Sequence, residues 1–157
     1  MDIITGKFGP REIAFAVSFG ILLGLLPKDN LTAAAIAVVF FLSRANLVLG
    51  VVITIIVSFL SPFYYPIAHR IGLEILTSDF GQEWGAALFQ YPLVPWSMLD
   101  NTVVMGSFAT GLALFLPVWF IVWLPLKLFW KKEETKQKKK EESKAGPLTT
   151  EYVLEKK

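Results

Sequence analysis

The chain contains no cysteine and a single histidine, His69. Disulfides, thiolate metal sites and a cysteine nucleophile are therefore excluded. Charge is also missing over long distances. Ala45 to Ala68, 24 residues, and Asn101 to Leu126, 26 residues, contain no Asp, Glu, Lys or Arg. A helix needs roughly 20 apolar residues to cross about 30 Å of hydrocarbon. Two such segments in 157 residues, 54% of them hydrophobic, read as an all-α integral membrane protein.

The basic residues set the orientation. Lys7 and Arg11 precede the first apolar run, and Arg44 divides the second from the third. After Trp130 comes the cationic KKEETKQKKKEESK. With these regions inside, only Lys28 and Arg70 of the 15 basic residues lie outside, the asymmetry of the positive-inside rule. Both termini are expected in the cytoplasm of a multi-pass protein. A membrane domain over 1–130 and a charged cytoplasmic tail over 131–157 follow. The tail's mixed charge and few aromatics suggest disorder. It reads as a solvated topology anchor, the alternative being an electrostatic tether to anionic lipid.

Residues 10–43 are harder to place. Ile13 to Pro27 and Asn30 to Ser43 are uncharged but only 15 and 14 residues long. At 1.5 Å per residue the longer reaches about 22 Å, short of the hydrocarbon thickness. Such arms, joined by Pro27, Lys28, Asp29 and Asn30, form a broken-helix hairpin, either re-entrant from the cytoplasmic side or short-spanning. A signal peptide is mimicked by Lys7, Arg11 and Ala33-Ala34-Ala35, but apolar residues continue past that cleavage pattern. Pro27 ends the first arm, and Asp29 or Asn30 caps the second. Lys28 has no such role in a turn, and so becomes a candidate partner for a lipid headgroup or another subunit.

Residues 45–68 and 101–130 form the full transmembrane helices. Small residues recur four apart at Ala16, Gly20 and Gly24, at Gly50, Thr54 and Ser58, and at Gly106 and Thr110. These stripes let helix backbones approach closely. They serve packing within the bundle or a seam with a partner, and a homo-oligomer stays open. Asn46 shares a face with Gly50 and needs a polar partner. With Arg44 it either holds the broken hairpin against the third segment or forms a candidate phosphate-binding pair, joined to the hairpin tip in one binding site. Ser61-Pro62 and Tyr65-Pro66 are expected to end the first full span. Residues 69–100, with Trp84, Tyr91, Trp96, Pro92 and Pro95, read as interfacial helices on the periplasmic side. His69 lacks an accompanying nucleophile or carboxylate pair, so no enzyme, metal or cofactor is expected.

PREIAFAVSFGILLGLLPKDNL (10–31), SRANL (43–47), the Ser61-Pro62 pair and a Tyr-Pro followed by Ile71-Gly72 stand in an order that resembles a bacterial membrane family known as domain of unknown function 2062. Relatives commonly have a glycine where Lys28-Asp29-Asn30 stands, so this tip is more charged than the pattern. The resemblance implies a bacterial inner-membrane location. It also implies a longer subfamily encoded beside a large envelope protein similar to the AsmA-type lipid-bridge proteins, with other relatives attached to glycosyltransferases that use lipid carriers. The expectation is a non-enzymatic inner-membrane subunit that partners a periplasmic AsmA-like protein in phospholipid transport, in contact with membrane lipids and not nucleic acid. A small transporter or channel is the alternative, and a lipid-modifying enzyme ranks last.

Overall fold

The computed structural model describes residues 8–145. Among them there are five α-helices, one 3-10 turn and no strand. Helix α1 spans Pro10–Leu25. Pro10 sits in the first turn, where its missing N–H is of no consequence. The Glu12 side chain reaches back to accept from the Gly9 N–H at 3.0 Å. Helix α2 spans Leu31–Leu42. Its cap, Asn30, accepts from the Ala33 N–H and donates to the Pro27 carbonyl, both at 2.8 Å. One side chain thereby closes both sides of the turn, and such a cap contributes about 1 kcal/mol.

Helix α3 runs Leu47–Thr77, capped by Asn46. It was expected to stop at its prolines, and it continues through both. Proline at position 62 removes the N–H that the Ser58 carbonyl would accept. The Ser61 hydroxyl supplies a replacement, donating to the Ser58 oxygen at 2.9 Å. Side-chain repair of this kind is what lets proline stand within an apolar helix. His69, Arg70 and Glu74 consequently lie on α3 and not on a separate interfacial helix, so the 69–100 boundary moves to Ser78.

Ser78 caps α4, Asp79–Leu88, by accepting from Gly81 N–H at 3.1 Å. A 3-10 turn, Val94–Ser97, follows, and Met98 (φ 53°) reverses the chain in the left-handed region. Helix α5 runs Thr102–Ala145. The expected disorder from residue 131 is corrected as far as Ala145. Lys, Glu and Gln are strong helix formers, and the first breakers, Gly146 and Pro147, come later. The remainder of the tail lies outside the described residues.

The chain divides into two compact units, Met1–Trp123 and Leu124–Lys157. In the second, Leu128, Lys131, Lys132, Thr135 and Lys136 line one shallow surface depression, and the Thr135 hydroxyl donates to the Lys131 carbonyl at 2.8 Å. In the first, α1 runs alongside α3 in the same direction, and α5 runs opposite to both. Aromatic pairs record the α1–α5 register: Phe15 with Trp119 at 5.6 Å and Phe19 with Phe115 at 5.0 Å. Arg11 stands over the Trp123 ring at 5.9 Å. Phe40 of α2 closes the core against Phe19, Ala16 and Leu23.

Two helical segments, Leu47–Thr77 and Thr102–Lys132, are long and apolar enough to cross a membrane. Their most apolar windows are only 11% and 0% buried inside the molecule. Ile55, Phe59, Phe63, Leu116 and Ile121 all face outward. A core helix of a water-soluble domain buries its apolar stripe, whereas a helix apolar all round needs an apolar solvent.

Candidate functional site

The turn between α1 and α2 is held from within. The Lys28 ammonium donates to the Leu23 carbonyl at 2.6 Å, to the Gly24 carbonyl at 3.4 Å, and to the Leu26 carbonyl. These are carbonyls that the end of α1 leaves without helical partners. Lys28 is thus a cationic C-terminal cap, favoured by the helix dipole at about 0.3–1 kcal/mol. A role for lysine in closing a helix was legible from its place three residues past Leu25. Asp29 is exposed, Pro27 half-buried and Asn30 only 6% exposed. The Thr32 hydroxyl donates to the Ser97 carbonyl at 2.9 Å, so the segment after α4 covers the start of α2.

Ser58 sets the level of this turn along α3. Its hydroxyl lies 3.4 Å from the Gly24 carbonyl oxygen. Ser58 is twelve residues beyond the Asn46 cap, about 18 Å along the helix axis. Beside the turn, an open groove of about 270 Å³ is lined by Leu23, Lys28, Ala33, Ala37, Phe40, Val51 and Thr54.

Arg44 and Asn46 belong elsewhere. They follow α2, whose twelve residues separate them from the turn by about 18 Å. The single composite site expected from Pro27–Asn30 with Arg44 and Asn46 is therefore two sites at opposite ends of α2. Asn46 is 1% exposed. Its side-chain oxygen accepts from the Leu49 N–H at 3.0 Å, and its backbone N–H donates to the Glu12 carbonyl at 3.4 Å. Its amide nitrogen is buried without a partner. Around it lies a cavity of about 490 Å³, lined by Phe8, Glu12, Ser43, Arg44 and Leu47 among others. Glu12 escaped the sequence reading, although its place three residues after Gly9 marked it as a helix-start residue.

The small-residue stripes meet one another within the chain. Gly20 faces the Gly50 carbonyl and Ile53, Gly24 faces Val57 and Thr54, and Ala16 faces Gly50. Gly106 pairs with a stripe that the sequence reading missed, Ala68 and Gly72 of α3. A Cβ on Gly72 would overlap the Thr102 carbonyl, and one on Gly106 would overlap that of Ala68. Only glycine permits backbones this close. Hydrogen bonds flank the crossing: Tyr64 to Thr110 at 2.6 Å, and His69 Nδ1 to the Thr102 hydroxyl at 2.5 Å. The one histidine is part of a helix seam.

Over residues 2–139 the chain matches a family described as an uncharacterised protein conserved in bacteria, domain of unknown function 2062. It belongs to that family. The match runs far past the opening motifs, through α4 and into α5. Among curated relatives, an uncharacterised protein of Treponema pallidum (strain Nichols) is 27% identical over 108 residues, covering 69% of this chain and 67% of the relative. No solved structure matches.

Proposed function

We propose that this member of domain of unknown function 2062 is a non-enzymatic, multi-pass subunit of the bacterial inner membrane that serves a large periplasmic AsmA-like lipid-bridge protein. Both termini face the cytoplasm, α3 and α5 span the bilayer, and α1 and α2 form a re-entrant hairpin between them. The observation that carries the reading is the depth of the turn. Arg11, Arg44 and Trp123 mark one headgroup layer. The approach of Ser58 to Gly24 lies about 18 Å from that layer along α3, which supports a turn within a hydrocarbon core of about 30 Å. Backbone that leaves a helix at such depth must be satisfied internally, and Lys28 and Asn30 do that here.

In this reading the open groove under Lys28 admits an acyl chain or the partner's anchor helix. A photo-crosslinker at position 28 in intact cells should recover phospholipid or a large periplasmic protein. Recovery of neither removes the proposal.

The groove also supports a second reading, a small transporter with its site at a broken helix. That reading requires solute flux in proteoliposomes containing this chain alone.

A further inference from the structure

The cavity at the amino end of α3 has the makings of a ligand site independent of the turn. Three kinds of donor converge there. The first N–H groups of α3, those of Leu47 and Val48, precede any helical carbonyl that they could reach. Leu49 is already served by Asn46. Arg44 is exposed, and among the described residues its guanidinium makes no hydrogen bond or ion pair. The third donor is the amide nitrogen of Asn46. Because the Asn46 oxygen must accept from Leu49, the other atom of that amide has to be the N–H₂ group. It is buried and partnerless, on a residue that lines the cavity. A buried donor without an acceptor is rare in folded proteins and marks a missing polar atom.

Donors at a helix start beside an arginine suit a phosphate. A purely anionic ligand, however, would also meet Glu12, which lines the same cavity. One Glu12 oxygen accepts from Gly9; the other has no partner among the described residues. A ligand with both charges meets both walls. Phe8, Leu47 and Val48 supply an apolar border, and Val48 continues into the exposed apolar face of Val51, Val52 and Ile55. The occupant must therefore be amphiphilic. We propose that this cavity binds the headgroup of a zwitterionic glycerophospholipid, with its phosphodiester on Arg44, Asn46 and the α3 N–H groups and its ammonium on Glu12. The site rests on the membrane placement argued above and not on the periplasmic partner.

The test uses the full chain, purified in detergent, stripped of lipid and followed by native mass spectrometry. It is titrated with short-chain phosphatidylethanolamine, short-chain phosphatidylglycerol and inorganic phosphate. The ethanolamine lipid should bind at least about tenfold more tightly than the glycerol lipid, since only the latter leaves Glu12 facing a net anion. Inorganic phosphate should not displace it. Arg44→Gln should weaken binding by about tenfold, as loss of a charge-assisted pair does. Glu12→Gln, which still accepts from Gly9, should bring the two lipids to equal affinity. Asn46→Asp keeps the Leu49 cap and removes the donor, so it should lose the lipid while the helical circular-dichroism signal is retained.

Equal binding of both lipids by the native chain, indifference to Arg44→Gln, or displacement by inorganic phosphate overturns the site. The two proposals fail separately. Lipid held through Arg44 in a chain whose position 28 is labelled freely from bulk water sinks the buried turn and spares this site. Crosslinking of position 28 without selective lipid retention does the reverse.

Discussion

Ser58 and Gly24, 34 residues apart in the chain, approach to 3.4 Å, hydroxyl to carbonyl oxygen, while the Ser58 hydroxyl donates to the Thr54 carbonyl at 2.7 Å. Nineteen residues of α3 lie beyond this contact, about 28 Å of helix that the first two helices do not accompany. Helix α5 pairs with that upper part through Ala68, Gly72, Thr102 and Gly106, and Gly81 of α4 packs on the last turn of α3 at Ile75. In the lower layer α1 and α2 stand beside α3 and α5, and in the upper layer they are absent. The turn of the hairpin is the step between them.

That step makes the turn's accessibility measurable. The chain lacks cysteine, so single-cysteine variants report without background. Asp29→Cys should react with an impermeant maleimide about tenfold or more slowly than Gln82→Cys on α4, because reagent in bulk water does not reach backbone held at depth. Equal rates would bring the re-entrant arrangement down.

Lys28 contributes to the turn before any ligand arrives. Lys28→Met retains the aliphatic stem and removes the donors to Leu23, Gly24 and Leu26. Stability should fall by about 0.3–1 kcal/mol, the worth of a cation at a helix end. Amide exchange should rise locally from the last turn of α1 into residues 26–30. An unchanged exchange pattern would separate Lys28 from helix closure.

Ser61 and Pro62 are coupled through one carbonyl. Ser61→Ala should cost about 1–3 kcal/mol by leaving the Ser58 oxygen unsatisfied, since the proline offers no N–H. Ser61→Ala combined with Pro62→Ala should recover most of that loss, because the restored backbone donor takes the same acceptor. Strict additivity in the double-mutant cycle would contradict the repair.

The crossing of α3 and α5 tolerates nothing larger than hydrogen. Gly106→Val should destabilise the protein by at least about 1–3 kcal/mol, as overpacking does, and the backbone on the other side has no rotamer to yield. Gly85→Ala, where nothing lies within 4 Å, should be neutral or stabilising by about 0.5–1 kcal/mol because alanine is the better helix former. Thermal melting in a mild detergent compares the two directly.

Several features were open to a reader of residues alone because their cause is local. Asn30 caps α2 through an atom three residues away, as its position after Pro27 suggested, whereas Asn46, expected to need a polar partner on another helix, spends its side-chain oxygen on the cap of α3. The prolines misled for the same reason. Proline's cost of about 3 kcal/mol describes an average helix interior, whereas Ser61 alters the local balance at position 62. The tail misled because Lys and Glu favour both solvation and helix. Arg44 and Lys28 look like members of one polar set until the length of α2 is laid between them.

Composition and spacing by themselves determined the class: uncharged stretches long enough to span lipid, two arms too short to do so easily, and basic residues grouped before, between and after the apolar runs. Those properties add up residue by residue and need no partner in space. Tertiary structure alone decided the level at which the turn stops, which glycines face which carbonyls, and that Asn46 keeps a buried donor beside Glu12 and Arg44. Each of these depends on the offset between helices distant in sequence. Close packing of side chains against backbone sets that offset, and no single segment encodes it.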